Sequence, residues 1–262
     1  MRMTEEIAEE KVRLGGMALA NGVLVHGPTS WACAVRTDDG ELHVASGRKR
    51  LLPAQRPLLR GPARLLEALL VLPRVRRSLP QARFAFQRPG VLAAMAAAGI
   101  GGRAIRETRL PPAAQELAAG ALALTPALLA LRERELAAYH GAEHVSIGTY
   151  ENGEPAAKEH ERCGTHLVGP LLLATAAGAT LAGKAPRSIR RPANLVAAVG
   201  AMAAATEIFG WMVRNPEHPV AKALARPGQE LQERVATADP SPEQVEVADA
   251  ALQACLELER AD

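Results

Sequence analysis

From Gly164 to Gly183 the chain runs 20 residues without an Asp, Glu, Lys or Arg, and from Ala193 to Val213 Glu207 is the single charge. A helix of that length reaches ~30 Å, the hydrocarbon thickness of a bilayer. Two such segments joined by a short connection leave two choices: a hairpin across a membrane, or a hydrophobic hairpin inside a helical protein. The connection holds Lys184, Arg187, Arg190 and Arg191 and no acid, which in a membrane protein puts it on the cytoplasmic side. Gly90 to Gly102 and Ala113 to Leu131 are two further apolar segments. The apolar residues are mostly alanine, and the mean hydropathy of the chain is −0.02, so a cytoplasmic helical protein is the alternative. The expectation is a cell-membrane protein with lipid as its partner.

Alanine is the strongest helix former and fills little volume, so closely packed helices are expected. Aromatics are 3% of the residues, and the net charge of +3 is too small to argue for nucleic-acid binding. Short apolar runs at 23–25, 32–35 and 42–45 read as strands, with Asp39-Gly40 as a hairpin signal between the last two. The fold class expected is mainly α, a helical bundle with a small N-terminal antiparallel β unit. Its organisation reads as three stretches: 1–56, the β unit and a basic linker; 57–214, the helical core; 215–262, a polar helical tail. Within them, 62–77 reads as one amphipathic helix beside an arginine cluster. A last helix over 243–260 has Ser241 as cap and Pro242 in its first turn. The glutamates at 5, 6, 9 and 10 leave the N-terminal dozen residues without the apolar core of a secretory signal. Cys33, Cys163 and Cys255, odd in number and widely spaced, imply no disulfide framework and suit a reducing compartment.

Four of the seven histidines, His140, His144, His160 and His166, fall within 27 residues together with Cys163. The sharpest element is His140-Gly-Ala-Glu-His144. On a helix, residues four apart differ by ~40° in azimuth and stand ~6 Å apart, so both imidazoles face one point with Glu143 beside them. This is the H-x-x-E-H order of inverted zincins, in which two imidazoles hold a divalent ion and the carboxylate accepts a proton from water. About 0.02 matches would arise by chance in this composition. Projected from Leu129, the positions Leu136, His140, Glu143 and Ile147 fall within ~40° of one line, interrupted by Arg132 and Glu133. Gly141 costs ~1 kcal/mol in a helix interior, which is easier to understand if another backbone or a ligand approaches there. A pair of core histidines satisfied by hydrogen bonds is the bland alternative. No G-x-S-x-G elbow or C-x-x-C pair is present.

A catalytic ion needs a third protein ligand and an open position. The candidates are His160, Cys163, His166, Glu151 and Glu207. Glu207, alone in an apolar segment, must be neutralised by a cation or by a basic partner such as Arg162.

These residues carry a resemblance. Tyr139-His-Gly-Ala-Glu-His144, then Tyr150-Glu151, then His160-Glu-Arg-Cys-Gly-Thr165 resemble the signature of the YqhQ-like family of uncharacterised bacterial proteins. Asn21-Gly-Val23, Trp31-Ala-Cys-Ala-Val-Arg36, Pro57-Leu-Leu-Arg-Gly61, Thr206-Glu207-Ile208 and Ala236-Thr-Ala-Asp-Pro240 are similar to its other blocks. The resemblance implies an integral membrane protein with metal-dependent enzyme activity.

The expected function is therefore metal-dependent hydrolysis of an amide or ester at a membrane. His140 and His144 hold a divalent metal, zinc by preference. The third ligand comes from His160, Cys163 or Glu207, Glu143 is the general base, and Arg162 stabilises an oxyanion. The rival expectation is a non-catalytic membrane assembly or binding protein in which three histidines and Cys163 close a structural metal site. A weaker third is a haem held by one histidine.

Overall fold

Four short strands, β1 (Gly15–Leu19), β2 (Gly22–His26), β3 (Ser30–Arg36) and β4 (Leu42–Arg48), form an antiparallel meander in sequence order. The computed structural model describes residues 11–54, 56, 58–186 and 188–261; the glutamates at 5–10, Pro57 and Arg187 lie outside them. The β3–β4 hairpin turns where Asp39-Gly40 predicts, with Gly40 in the left-handed region at φ 88° and the Thr37 N–H donating to the Glu41 carbonyl at 3.0 Å. Strand β1 is not announced by its Gly-Gly-Met-Ala-Leu sequence, which lacks β-branched residues. Pairing of Met17 with Leu24 and the helix beneath it hold it in place.

Both faces of the sheet are covered. Val23, Val25, Ala32 and Ala34 pack against α5 (Arg134–Asn152) and α9 (Pro242–Arg260), while Leu24, Trp31, Cys33 and Val35 pack against α2 (Leu72–Ser78) and Phe84. A strand buried on both faces has no polar side to alternate with, which is why β3 reads as a continuous apolar run. All three cysteines are free thiols.

The helix expected over 62–77 is two: α1 (Arg60–Leu69) and α2. Pro73 has no N–H to continue the ladder, so it sits in the first turn of a new helix. The apolar segments are α3 (Pro89–Arg106), α4 (Pro112–Leu131), α6 (Val168–Gly183) and α7 (Arg190–Arg214), and α8 (Pro219–Leu231) follows. At the start of α9, Ser241 Oγ accepts from the Gln244 N–H and the Gln244 side chain accepts from the Ser241 N–H. That is the cap its sequence predicts.

Three helical stretches, Pro112–Leu131, Gly164–Gly183 and Arg190–Arg214, are long and apolar enough to cross a membrane, and only 11% to 28% of their apolar windows is buried. Helices α3, α4, α6 and α7 pack side by side in that order. Their outer surfaces carry Leu173, Leu181, Leu195 and Val196 more than half exposed. Helix α1 is built the same way around: Leu65, Leu66 and Leu69 face outward, whereas Glu67 is buried, accepting the Leu52 N–H at 2.7 Å and Arg64 Nη1 at 2.9 Å. Arg60 and Arg64 are exposed beside those leucines, so α1 presents a mixed apolar and basic surface.

Candidate metal centre

The site is built on α5. The helix is separated from α4 by a break at Arg132–Glu133, so Leu129 belongs to the preceding helix and the two charges that interrupted the projected stripe lie in the connection. Most of α5 is buried, with the sheet and α9 packed against it and the 153–163 loop and the 236–239 segment crossing it. At Gly141 a Cβ would lie 2.2 Å from the Ala238 carbonyl oxygen, so the close approach anticipated there is a backbone.

His140 and His144 have ring centroids 4.4 Å apart. His140 Nδ1 lies 2.7 Å from the Ala236 carbonyl and His144 Nδ1 2.6 Å from the Lys158 carbonyl. A carbonyl oxygen only accepts, so each ring donates from Nδ1 and presents a bare lone pair at Nε2. Metal-ligating histidines are oriented in the same manner. Burial, reinforced by His140, pushes His144 down to about 3, which keeps that ring neutral and able to ligate.

Cys163 completes the group. One donor atom from each of His140, His144 and Cys163 lies within 4.8 Å of the others, and His140 Nε2 is 3.5 Å from Cys163 Sγ. Bond lengths of about 2.05 Å to nitrogen and about 2.3 Å to sulfur at a tetrahedral angle give a separation of about 3.5 Å, so this edge already has the size an ion requires. Burial raises the Cys163 thiol, while the Thr165 hydroxyl and the N–H groups of Thr165 and Gly164 pull it back. A neighbouring cation would favour the thiolate further. Donor set and geometry fit a metal ion, and His140, His144 and Cys163 are a group able to bind one.

Glu143 stands beside the group, with Oε2 4.0 Å from His140 Nε2. It is buried against the β1 backbone, where a Cβ on Gly16 would lie 2.4 Å from the carboxylate. Burial pushes its carboxyl up to about 7, with His140 opposing. A cavity of about 430 Å³ opens on this edge, walled by Gly16, Met17, Leu136 and Ile147 and ending in Arg162 and Thr165.

The other predicted residues are placed elsewhere. His160 Nδ1 accepts the Arg162 N–H at 3.3 Å, so its Nε2 carries the proton and donates to Glu151 at 3.1 Å. This is the opposite tautomer from His140 and His144, and it leaves no free lone pair. Arg162 pairs with Glu151, so Glu151 is also committed. His166 donates from Nδ1 to the Ala225 carbonyl at 3.2 Å and accepts from Gln232 at 2.8 Å. Glu207 does not join the group: both of its oxygens are gripped by Arg60, at 2.9 and 2.6 Å. The basic partner its apolar surroundings demand is Arg60, not Arg162.

Gln232 escaped the sequence reading. Buried in one π-helical turn, it accepts the His160 N–H, and the two N–H groups of its amide are shared among the His160 carbonyl, Thr165 Oγ1 and His166 Nε2. It fixes both ends of the 160–166 segment and thereby the place of Cys163. The carbonyls of Lys158 and Ala236 were equally silent.

A family model described as "Protein of unknown function (DUF1385)" matches residues 132–258. That span takes in α5, Cys163 and Gln232 and leaves out the β1 wall of the cavity. No curated protein and no solved structure matches the chain.

Proposed function

We propose that this chain is a membrane-embedded, metal-dependent hydrolase whose ion, zinc by preference, is held by His140, His144 and Cys163. The observation that carries the reading is the pair of Nδ1-to-carbonyl hydrogen bonds, which aim two bare Nε2 atoms at the edge where Cys163 Sγ stands. Two imidazoles and a thiolate suit zinc. Three protein donors leave a fourth position, and the cavity borders it. The resemblance to YqhQ-like proteins points the same way, as do the apolar outer faces of α4, α6 and α7, which favour a membrane location with lipid as the surrounding partner.

A divalent cation there supplies Lewis acidity, polarising water and the acyl oxygen of an ester or amide. Glu143 takes a proton from the attacking water at a carboxylate oxygen and delivers it to the leaving group. A carboxyl poised near neutrality is suited to both transfers. Arg162 faces the cavity and offers N–H donors to the developing oxyanion, while Glu151 and His160 hold it in position. The apolar wall of Leu136, Met17 and Ile147 receives an uncharged part of the substrate and excludes water. A closed structural site is the rival reading. It needs a fourth protein donor, and His160, the nearest other imidazole, is spent on Glu151.

Elemental analysis with X-ray absorption on protein purified in detergent tests this. The expected result is about one ion per chain with two nitrogens, one sulfur and at least one light water-type donor around it, and its loss in His144→Ala. Retention of a full equivalent in that variant, or a shell filled by protein donors alone, would overturn the reading.

A further inference from the structure

A second cavity, of about 360 Å³, lies next to the first and shares Leu14, Gly15 and His26 with it. Its polar side chains are Arg13, His26, Lys49 and Arg64 around the backbone of Gly15 and Gly27, and no carboxylate lines it among the described residues. Glu67 and Glu259, the nearest acids, are occupied: Glu67 accepts the Leu52 N–H and Arg64, and Glu259 accepts from Thr29 and Ser30. The Lys49 N–H donates to the Thr29 carbonyl at 2.7 Å, but the side chains of Arg13 and Lys49 make no hydrogen bond or ion pair within the described residues, Lys49 feeling Glu67 and Glu259 only at longer range. The His26 ring makes none either, although it is wedged against Gly15, where a Cβ would lie 3.0 Å from it. Burial, followed by the Lys49 ammonium, pushes His26 down to about 4, so at neutral pH it is an uncharged ring with one N–H and one lone pair to offer.

Arg64 is paired with Glu67 and, like Arg13, reaches solvent, but the Arg13 and Lys49 charges and the buried, unpartnered His26 ring face one cavity and make its potential positive, which favours an anion there. A carboxylate would be over-matched. A phosphate, with up to two charges and several acceptor oxygens, matches the Arg13 guanidinium, the Lys49 ammonium and the N–H groups that Arg64 does not give to Glu67. We propose that the second cavity binds a phosphate group of the substrate, which extends past His26 so that its ester or amide bond reaches Glu143 and the metal centre. The position of the scissile bond rests on the hydrolase reading; the anion site does not. Two sources can supply such a phosphate. Arg64 lies on α1, whose exposed Leu65, Leu66 and Leu69 would flank the tails of a lipid, and a soluble phosphate ester offers the same head.

Calorimetric titration of the metal-free full chain in neutral detergent with inorganic phosphate tests the site. Binding is expected, with acetate a poor competitor, and Lys49→Met and Arg13→Gln should each weaken it about tenfold. Arg13 is at the exposed rim, so its variant reads the site even if loss of Lys49 disturbs folding. Dihexanoyl phosphatidic acid binding about tenfold tighter than glycerol phosphate would assign the lipid source, and equal affinity the soluble one. Phosphate binding that is absent, that ignores both substitutions, or that appears only in metal-loaded protein would overturn the proposal. Lysine-dependent binding in a chain that never retains metal would sustain the anion site and sink the hydrolase reading alone.

Discussion

Gly141→Ala should destabilise the protein by about 3 kcal/mol or more and weaken metal binding with it. In an exposed helix the same change stabilises by roughly 1 kcal/mol, because alanine loses less backbone entropy. Here the added methyl would stand 2.2 Å from the Ala238 carbonyl oxygen, which is backbone and cannot swing aside. The Ala238 N–H is itself bonded to the Ala137 carbonyl at 2.9 Å, so separating the two segments breaks that bond. It also drags Ala236, whose carbonyl orients the His140 ring. Gly99 in α3 has nothing within 4 Å of a built Cβ, so Gly99→Ala should stabilise by about 0.5–1 kcal/mol. Denaturant unfolding in micelles, with metal content measured beside it, reads both. Shifts of the same sign would show that the 236–239 segment does not press on α5 as described.

The sequence carried those parts of the site that depend on spacing along one helix. His140, Glu143 and His144 share a face because of helical periodicity alone, and the crowding of Cys163 within 23 residues marked it as a candidate. What decides among the candidates does not travel with residue type. His160 is as good a ligand as His140 on paper; the N–H of Arg162 and the carboxylate of Glu151 fix its proton on the wrong nitrogen. Glu207 is claimed by an arginine 147 positions away, a pairing no local pattern encodes. The orienting acceptors are backbone carbonyls of Lys158 and Ala236, which every residue type possesses.

The fold divides in the same manner. Helices α4, α6, α7 and α9 and the β3–β4 hairpin follow from length, apolarity, a cap and a turn pair. Strand β1 and helix α8 follow from their neighbours: the first is a glycine-bearing edge held by β2 and α5, and the second is a polar helix packed on α6 and the 164–167 turn. That edge strand matters for the site, because the Gly16 backbone packs directly against the Glu143 carboxylate.

Stripped of metal, Glu143→Gln should be more stable than the unsubstituted chain at pH 8, by about 3 kcal/mol, and equal to it near pH 4. Burial raises the Glu143 carboxyl from 4.5 to about 7 in the folded chain. Below 4.5 the group is protonated whether the chain is folded or not, and its neutral form costs nothing extra. Between 4.5 and 7 the unfolded chain releases the proton while the folded chain keeps it, so stability falls as pH rises, and the deficit is complete above 7. An amide is neutral throughout and lacks this slope. His26 and His144 add a slope of the other sign below 6.5, because their folded values are depressed, but both are present in either protein and cancel in the difference. On the proposed hydrolase reading, the amide should still leave an added ion bound at His140, His144 and Cys163, while turnover of an ester or amide substrate drops by about 10²-fold or more. Loss of the ion in Glu143→Gln would make Glu143 a ligand. A stability difference that does not change between pH 4 and 8 would mean that its carboxyl is solvated and not sealed behind β1.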